Sequence, residues 1–421
     1  MPRFLQRATS VARYLAGHLR RRDPRVWVFG NSKGFRDNPR YLAEYLANER
    51  PDLHPWWIAR SEAEAQQARS AGLSAALRAS AEGVRAQSRA GVAFLSNGFG
   101  DLEPDRLGGA FVVDLRHGKG LKRALLDLDQ EPAGIGLMAR ARRWLRRRLI
   151  GYRLGQVDMI VAPGTMAAEM YRTAYAGDPS RIRVLGTPRF DVIAGGVAFE
   201  RAAGPHLRAD LGLADDDYVV LWLPTWREGG DEAWLPRLES TQLEAAVAGT
   251  RMVIVVKPHP YSDAAVFRAR LPQHRALRLL PEADVDANCL LRVSDALITD
   301  FSSAAFDFAL LDRPIHFLVP DIDDYRDGAG LYEPLENLTA GRQYRDWESI
   351  LPDVRAAALG QDSTDRDVAR RIRQRGGNQD SPGSCARITV AVAAEIGLQT
   401  AAAETALPQA AAEHPSGRAA E

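Results

Sequence analysis

The feature that most constrains the fold is a repeated alternation of short apolar runs with helical segments. In the first half of the chain the apolar runs occupy residues 26–30, 54–60, 91–97, 109–118, 157–164 and 182–186. After the polar stretch 195–217, a second series occupies residues 219–224, 251–260, 276–280, 295–299 and 314–318. Short apolar runs that alternate with helices are typical of parallel strands buried on both faces. The sequence therefore predicts an α/β protein with two Rossmann-like domains whose parallel sheets face a central cleft.

The same pattern sets the predicted domain boundaries. We expect a first domain over residues 25–195 and a second over residues 196–398, because the two series of strands fall within these limits. Residues 1–24 precede the first strand and contain an amphipathic, arginine-rich helix. Residues 399–421 consist largely of Ala, Glu, Gln and Pro without a periodic apolar face, and we predict that this tail is disordered.

Two basic helical segments each leave two interpretations open. The N-terminal segment 3–22 has one apolar face surrounded by arginines, which fits a helix packed on the protein body or one lying on anionic lipid. The segment 140–153 carries seven arginines together with Trp144 and Leu145. It fits a solvated helix face, or a surface that binds an anionic membrane or a growing phosphate polymer.

Composition and missing motifs exclude several classes of protein. The net charge of +1 gives no overall basic excess for binding nucleic acid. The two cysteines, Cys289 and Cys385, fit neither a disulfide framework nor a metal-ligand pattern, which favours the reducing cytosol. No apolar run reaches the ~18 residues of a transmembrane helix, and the N-terminus lacks the apolar core of a signal peptide. There is no GxGxxG, Walker A or HExxH motif, so a dinucleotide cofactor, a P-loop and a metal site are not predicted.

Polar loops follow five of the predicted strands at their carboxyl ends. They are RHGKGLKR (116–123), GTPRFD (186–191), PTWRE (224–228), KPHP (257–260) and DFSS (300–303). Ligands of open α/β sheets bind beyond the carboxyl ends of the strands. Because five such loops recur in register, we expect them to line the cleft. On the residues alone, the two serines of DFSS fit either a plain N-cap or a phosphate site at a helix N-terminus.

These five loops, in this order, resemble those of the CDP-glycerol glycerophosphotransferase family, whose members make teichoic acid and capsule polymers. The family pattern has an HG-containing loop followed by a lysine pair, then GxPRxD, PTWR, KxHP and D(Y/F)SS, the last continuing as FDxxxLxRPxxF. The segment GNSKGFRDNPRYLAEYL also resembles the family's opening strand and helix, and the resemblance covers roughly residues 25–350. Two departures stand out, since RHGK (116–119) replaces the usual WHGT and DFSS replaces the commoner DYSS.

The resemblance implies a GT-B-like fold, with an acceptor-side first domain and a CDP-donor-binding second domain. It implies a transferase that moves glycerol phosphate or ribitol phosphate from CDP-glycerol or CDP-ribitol to a hydroxyl of a lipid-linked or polymeric cell-envelope glycan, releasing CMP. It implies no metal and no cofactor beyond the CDP-polyol donor, and an enzyme in the cytoplasm, peripheral to the inner face of the plasma membrane. A GT-B glycosyltransferase that uses a nucleotide sugar and a non-catalytic protein that binds an anionic polymer remain alternatives.

The resemblance also assigns roles to individual residues. His117 is the expected general base for the acceptor hydroxyl, since a neutral imidazole can take a proton near pH 7. His259 is expected to donate to a phosphoryl or leaving-group oxygen. The expected donor-binding residues are Thr225, Arg227, Asp300, Ser302, Ser303 and Asp307. Further residues expected near the cleft are Gly118, Lys119, Pro188, Arg189 and Asp191. An Arg189–Asp191 surface pair remains an alternative, and His316, inside a predicted strand, is expected to be a core residue.

Overall fold

The computed structural model describes most of the chain. The described residues are 3–118, 121, 123, 125–128, 136–175, 178–204, 206–227, 229–280, 285–327, 331–339, 341–361, 366–377 and 382–399. Lys119 and the predicted tail beyond residue 399 lie outside these residues, so the expectations for them stay predictions.

Among the described residues, the first sheet has seven parallel strands. They are β1 (Asp23–Phe29), β2 (His54–Ala59), β3 (Ser74–Leu77), β4 (Ala90–Leu95), β5 (Phe111–Asp114), β6 (Met159–Ala162) and β7 (Ile182–Val184). Their order in space is β3-β2-β1-β4-β5-β6-β7, so the direction of winding reverses between β1 and β4. The sequence analysis misses β3, because its sequence SAAL is short and rich in alanine, which has little preference for strands.

The second sheet has six strands in the part of the chain that the structure describes, and all of them are parallel. They are β8 (Tyr218–Leu223), β9 (Met252–Val256), β10 (Leu277–Leu279), β11 (Ala296–Thr299), β12 (Ile315–Leu318) and β13 (Gln343–Tyr344). Their order is β10-β9-β8-β11-β12-β13, with the reversal between β8 and β11. The missed strand β13 has only two residues, too short a run to stand out in the sequence. The predicted pair of α/β domains with parallel sheets is confirmed.

Helices cover the sheets and connect their strands. They are α1 (Arg3–His18), α2 (Asp37–Glu49), α3 (Glu62–Ser70), α4 (Ala81–Arg89), α5 (Leu137–Leu154), α6 (Thr165–Tyr175), α7 (Pro188–Ala194), α8 (Val197–Ala203), α9 (Leu207–Asp210), α10 (Ser240–Val247), α11 (Ala264–Arg270), α12 (Ala287–Val293), α13 (Ala304–Phe308), α14 (Ile322–Asp327), α15 (Leu335–Thr339), α16 (Trp347–Ala358), α17 (Asp367–Gly376) and α18 (Ser384–Glu395). Local capping fixes several starts, as where the Ser61 side chain accepts a hydrogen bond from the backbone N–H of Glu64. Within the described residues, no helix is both long and apolar enough to cross a membrane.

Large aromatic side chains fill the core of each domain. In the first domain, Phe29 of β1 stacks on Phe94 of β4 with ring centroids 4.5 Å apart. In the second, Trp222 of β8 meets Trp347 of α16 edge to face at 4.7 Å. All four are buried, and burial of each contributes about 1.5–3 kcal/mol. The prediction for His316 is confirmed, since this residue of β12 is only 2% exposed.

The C-terminal helix α18 returns to the first domain. Cys385 and Val392 pack into the core of the first sheet, whereas α17 packs on the second domain. The carboxylate of Asp191 accepts hydrogen bonds of 2.8 Å from the backbone N–H groups of residues 383–385 and so caps α18. The helix thus lies apart from the domain 196–398 to which the sequence analysis assigned it, because the apolar face of a helix does not reveal which sheet it covers.

Candidate active site

A cleft of about 1470 Å³ lies between the carboxyl ends of the two sheets. The loops that follow β1 and β5 line it from the first domain, and the loops that follow β8, β9 and β11 line it from the second. This is the position at which open α/β sheets bind their ligands. The predicted site residues that line the cleft are His117, Gly118, Arg189, Thr225, His259, Ser302, Ser303 and Asp307.

His117 reaches the cleft from the first domain, directly after β5. Its Nδ1 atom lies 3.1 Å from the carbonyl oxygen of Ser96, which follows the neighbouring strand β4. Because a carbonyl oxygen can only accept, Nδ1 carries the hydrogen of this bond and Nε2 keeps its lone pair in the neutral ring. The contact therefore fixes the tautomer in which Nε2 can take a proton.

His259 reaches the cleft from the second domain, in the loop after β9. Here the backbone N–H of Tyr261 donates to Nδ1 at 3.2 Å. Since Nδ1 accepts, the hydrogen of the neutral ring sits on Nε2. The ring of Tyr261 lies 5.2 Å from that of His259 and also contacts the amino group of Lys33 from the first domain. His259 therefore presents a hydrogen-bond donor.

A buried ion pair joins the two domains beside His117. Nη2 of Arg189 lies 3.1 Å from Oδ1 of Asp307, and both side chains are only 5% exposed. Nη1 of Arg189 also donates to the carbonyl oxygen of His117 at 2.8 Å. Burial acts to lower the pKa of Arg189, but Asp307 and Asp37 outweigh it, and the pKa is raised. Arg189 is thus a permanent cation in the cleft, and the alternative of a surface pair with Asp191 is wrong.

Gly118 allows the loops of the two domains to meet. A Cβ atom at this position would lie 2.8 Å from Oγ of Ser303 and 3.1 Å from Nη2 of Arg189. Its φ of +146° also falls in the region that side chains disfavour. The loop after β5, the start of α7 and the DFSS loop pack closely together at Gly118. Any side chain at this position would therefore push them apart.

The PTWR loop is held by carboxylates that lie behind the cleft. Asp300 accepts hydrogen bonds from the backbone N–H and Oγ1 of Thr225, at 2.9 and 2.5 Å. Nη2 of Arg227 lies 3.0 Å from Asp300, and its Nε lies 2.7 Å from Asp321. Neither Asp300 nor Arg227 lines the cleft. Their expected contacts with the donor are therefore corrected to a supporting role, because the guanidinium fork already faces two carboxylates and stacks on Trp234.

The two serines of the DFSS loop differ in their contacts. Oγ of Ser302 accepts a hydrogen bond from the backbone N–H of Ala304 at 3.2 Å, a local turn bond just before α13. Ser303 precedes α13 without a side-chain capping bond, and its hydroxyl faces Gly118. Both serines line the cleft, and neither makes the side-chain bond of an N-cap, so the phosphate site stays a prediction.

Pro188 and Asp191 are positioned for structure. Pro188 is the first residue of α7, where its fixed φ suits the helix start, and it is buried away from the cleft. Asp191 caps α18, as described above. Their expected place in the cleft is therefore corrected. Within the described residues, no group of His, Cys, Asp and Glu is arranged to hold a metal ion.

The structure adds site residues that the sequence analysis did not select. Asp37, at the start of α2, lines the cleft with a φ of +59°. The buried Asn38 beside it ties two loops together, because its Nδ2 donates to the carbonyl of Arg116 at 2.8 Å and its Oδ1 accepts from the backbone N–H of Arg189 at 3.0 Å. Lys257 also lines the cleft. In the sequence, Asp37 and Asn38 stand before Pro39 at the start of the helix in GNSKGFRDNPRYLAEYL, where such residues are also typical of an ordinary helix start.

Arg116 occupies the place of the tryptophan in the family's usual WHGT loop. Its guanidinium lies between the rings of Tyr171 and Tyr175, at 5.8 and 5.2 Å from their centroids, and 3.7 Å from Asp114. Burial acts to lower the pKa of Arg116, but Tyr175 and Asp114 outweigh it and raise the pKa. The substitution therefore keeps a flat, buried group at this position and adds a positive charge to the wall of the cleft.

Comparison with known proteins identifies the family of the chain. A family model described as CDP-glycerol:poly(glycerophosphate) glycerophosphotransferase matches residues 13–393. The chain is 27% identical over 312 residues to a teichoic acid poly(glycerol phosphate) polymerase of Staphylococcus epidermidis, a match that covers 72% of this chain and 42% of that protein. It is 26% identical over 332 residues to the protein of the same name in Bacillus subtilis, covering 77% of this chain and 42% of that one. The chain thus spans less than half the length of these relatives.

Among solved structures, the wall teichoic acid polymerase TagF has the same fold. The match has a TM-score of 0.74 at 23% sequence identity and covers 92% of this chain and 93% of that one. Together with the two parallel sheets that face one cleft, it confirms the GT-B-like architecture expected from the sequence.

Proposed function

The chain belongs to the CDP-glycerol:poly(glycerophosphate) glycerophosphotransferase family, and from this premise we propose that it transfers a polyol phosphate from a CDP-activated donor to a hydroxyl of a cell-envelope polymer. The donor is CDP-glycerol or CDP-ribitol, and CMP is released. The names of the relatives, teichoic acid polymerases, support a polyol-phosphate polymer as the acceptor. The donor is the only small molecule that the proposed reaction requires.

The observation that carries the proposal is that two histidines face the same cleft and are held in opposite tautomers. Nε2 of His117 is the proton acceptor, and Nε2 of His259 carries a proton. In the proposed step the acceptor hydroxyl gives its proton to His117 while its oxygen attacks the phosphorus of the polyol phosphate. The bond from that phosphorus to the bridging oxygen of the pyrophosphate breaks, and CMP leaves with the electron pair. His259 donates to an oxygen on which charge develops.

Fixed cations at the same place favour a pyrophosphate substrate. Arg189 is permanently charged, and Lys257 lines the same cleft. Ser303 adds a hydroxyl next to Gly118. Phosphoryl transfer depends mainly on positioning and on stabilising negative charge, and such groups supply both.

The test measures release of CMP from CDP-glycerol and from CDP-ribitol, with an acceptor that ends in polyol phosphate. We expect acceptor-dependent release by the wild type and a loss of about 10²–10⁴-fold in His117→Ala, the usual contribution of a general base. Binding of CDP-glycerol should stay unchanged in the variant and serves as the control for folding. Release of UDP or GDP from nucleotide sugars would instead favour a glycosyltransferase, and no turnover with any donor would favour a binding protein.

We also propose that the enzyme works at an anionic membrane surface, where a lipid-linked acceptor would be found. Helix α5 exposes Met138, Trp144, Leu145 and Tyr152 among its arginines. Helix α1 exposes Val11 and Leu15, and Leu19, which follows α1, is also exposed. Tyr14 of α1 and Tyr152 are close enough to interact electrostatically, which supports one continuous surface. Apolar and aromatic side chains among arginines are typical of helices that lie in a lipid interface.

Vesicle flotation tests this location. We expect wild type to float with phosphatidylglycerol vesicles, less with phosphatidylcholine alone, and Trp144→Glu/Leu145→Glu to remain in the soluble fraction. Val197→Glu, at an exposed apolar residue on α8, is the matched control and should float like the wild type. Equal flotation of all three proteins would contradict a role for this surface.

A further inference from the structure

Asp37 has a strained backbone at the wall of the cleft. Its φ is +59°, and Arg116 and Asp312 are the other non-glycine residues with a positive φ among those described. Asp312 ends a short helical turn, where a left-handed residue is common. Asp37 instead begins α2, and a helix start has no need of such a residue. Strain of this kind persists where the surrounding structure enforces it, often at sites of function.

The side chain of Asp37 also has an unused hydrogen-bond acceptor. Its Oδ1 atom is buried and has no hydrogen-bond partner. Nη1 of Arg189 lies 4.0 Å away, beyond the range of a hydrogen bond. The side chain as a whole is 21% exposed and lines the cleft. A buried carboxylate oxygen without a donor is costly, so the protein itself does not satisfy this carboxylate fully. The exposed part of the same carboxylate lines the cleft, where a ligand hydroxyl can donate to it.

Asp37 stands next to the proposed base. Asn38, the next residue, holds the carbonyl of Arg116, and Arg116 immediately precedes His117. Asp37 and His117 are also near enough to interact electrostatically. An acceptor whose hydroxyl gives its proton to His117 can therefore place an adjacent hydroxyl within reach of Asp37.

We propose that Asp37 selects acceptors that end in a vicinal diol. One hydroxyl of the diol loses its proton to Nε2 of His117 and attacks the donor, while the adjacent hydroxyl donates a hydrogen bond to the Asp37 carboxylate. Asp37 takes no proton in this step and sets the position of the acceptor. The inference rests on the proposed function and names its acceptor class, a terminal polyol such as glycerol phosphate as opposed to a lone alcohol.

The test uses two synthetic acceptors that differ by one hydroxyl, the octyl phosphodiesters of glycerol and of 1,3-propanediol. With CDP-glycerol and CDP-ribitol as donors, we expect wild type to favour the glycerol compound in kcat/KM by roughly 10- to 100-fold, the range for one hydrogen bond to a charged group. Asp37→Gly, which removes the carboxylate and suits the positive φ, should transfer to both with a ratio near one. Asp37→Asn keeps a neutral acceptor oxygen and should show an intermediate preference.

Asp312→Gly is the matched control, since it relieves a φ of +51° outside the cleft and should retain the full preference. An Asp37→Gly protein that loses activity equally towards both acceptors would overturn the inference, as would a wild type that uses both equally well. In that second case the proposed function stands, because transfer itself occurs. A wild type that transfers to neither phosphodiester nor to a polyol-phosphate polymer contradicts the proposed function, and the inference fails with it.

Discussion

The two cleft histidines have the same residue type and the same position after a strand, yet their hydrogen bonds are opposite. In the first domain a carbonyl oxygen faces Nδ1 of His117, whereas in the second an N–H group faces Nδ1 of His259. The partner of one ring nitrogen determines the chemistry of the other. One domain therefore presents a proton acceptor to the cleft, and the other presents a hydrogen-bond donor.

The surroundings of the two histidines differ as well. His117 lies in a tightly packed region where Arg189, Asp307 and Gly118 join the domains. His259 lies in an outer turn, and Tyr261, which orients it, is 59% exposed. His117, the proposed base, is therefore held by contacts from both domains, whereas His259 is oriented by a single exposed turn.

Glutamine in place of each histidine gives the largest effect and tests the comparison directly. The amide nitrogen of glutamine can replace Nε2–H as a donor, but the amide cannot take up a proton. We expect His117→Gln to be as inactive as His117→Ala, about 10²–10⁴-fold below wild type. The rate of His259→Gln should exceed that of His259→Ala by up to about 10²–10³-fold, the range for one donor to developing charge.

Initial rates of CMP release with a saturating acceptor provide the measurement for these four variants. Thermal unfolding of each confirms that the fold is intact. Equal rescue by glutamine at both positions, or at neither, would show that the two rings do not play opposite roles.

The second-largest effect is expected on stability, when the ion pair between Arg189 and Asp307 behind His117 is broken. Arg189→Met leaves the carboxylate of Asp307 buried without its cation, and we expect a loss of about 3–5 kcal/mol in the free energy of unfolding. Arg189→Met/Asp307→Leu removes both charges and should recover a large part of that loss. Urea unfolding of the wild type and both variants measures this, and a double variant no more stable than the single one would contradict the argument.

The sequence predicted the architecture and most of the cleft, because both depend on local patterns. Apolar runs marked eleven of the strands. The polar loops at the carboxyl ends of these strands correctly placed His117, His259 and Ser303 on the walls of the cleft. The tautomers could not be predicted in the same way. The carbonyl that fixes His117 belongs to Ser96, directly after the neighbouring strand β4, and which strands are neighbours is a property of the tertiary fold.

The positions of charged side chains are even harder to predict from the sequence than the tautomers. Arg227 and Asp191 stand in the same loops as true cleft residues, and composition alone cannot separate them. Their partners, Asp321 and residues 383–385, lie 94 to about 190 positions further along the chain. Asp37 was missed for the converse reason, since an acidic residue before Asn-Pro also suits an ordinary helix start.

The smallest effect concerns Asp37 and its dependence on pH. Burial raises the pKa of Asp37, Arg189 and His117 oppose this, and Asp286 adds to it. Because the folded state binds this proton more tightly than the unfolded chain, the contribution of Asp37 to stability falls as the pH rises above its unfolded pKa of about 3.9. Asp37→Asn removes the titration and should be more stable than wild type by about 1 kcal/mol at pH 8.

Urea unfolding at pH 4 and pH 8 measures the sign of this effect. The advantage of Asp37→Asn over wild type should shrink at pH 4, because lowering the pH towards the raised pKa of Asp37 protonates its carboxyl in the fold and removes the buried charge. Asp312→Asn is the control, because Asp312 is 37% exposed, and its stability difference should change little between the two pH values. A variant less stable than wild type at pH 8 would mean that attraction to Arg189 outweighs burial, and the carboxylate would then be part of the ion pairs that hold His117 in place.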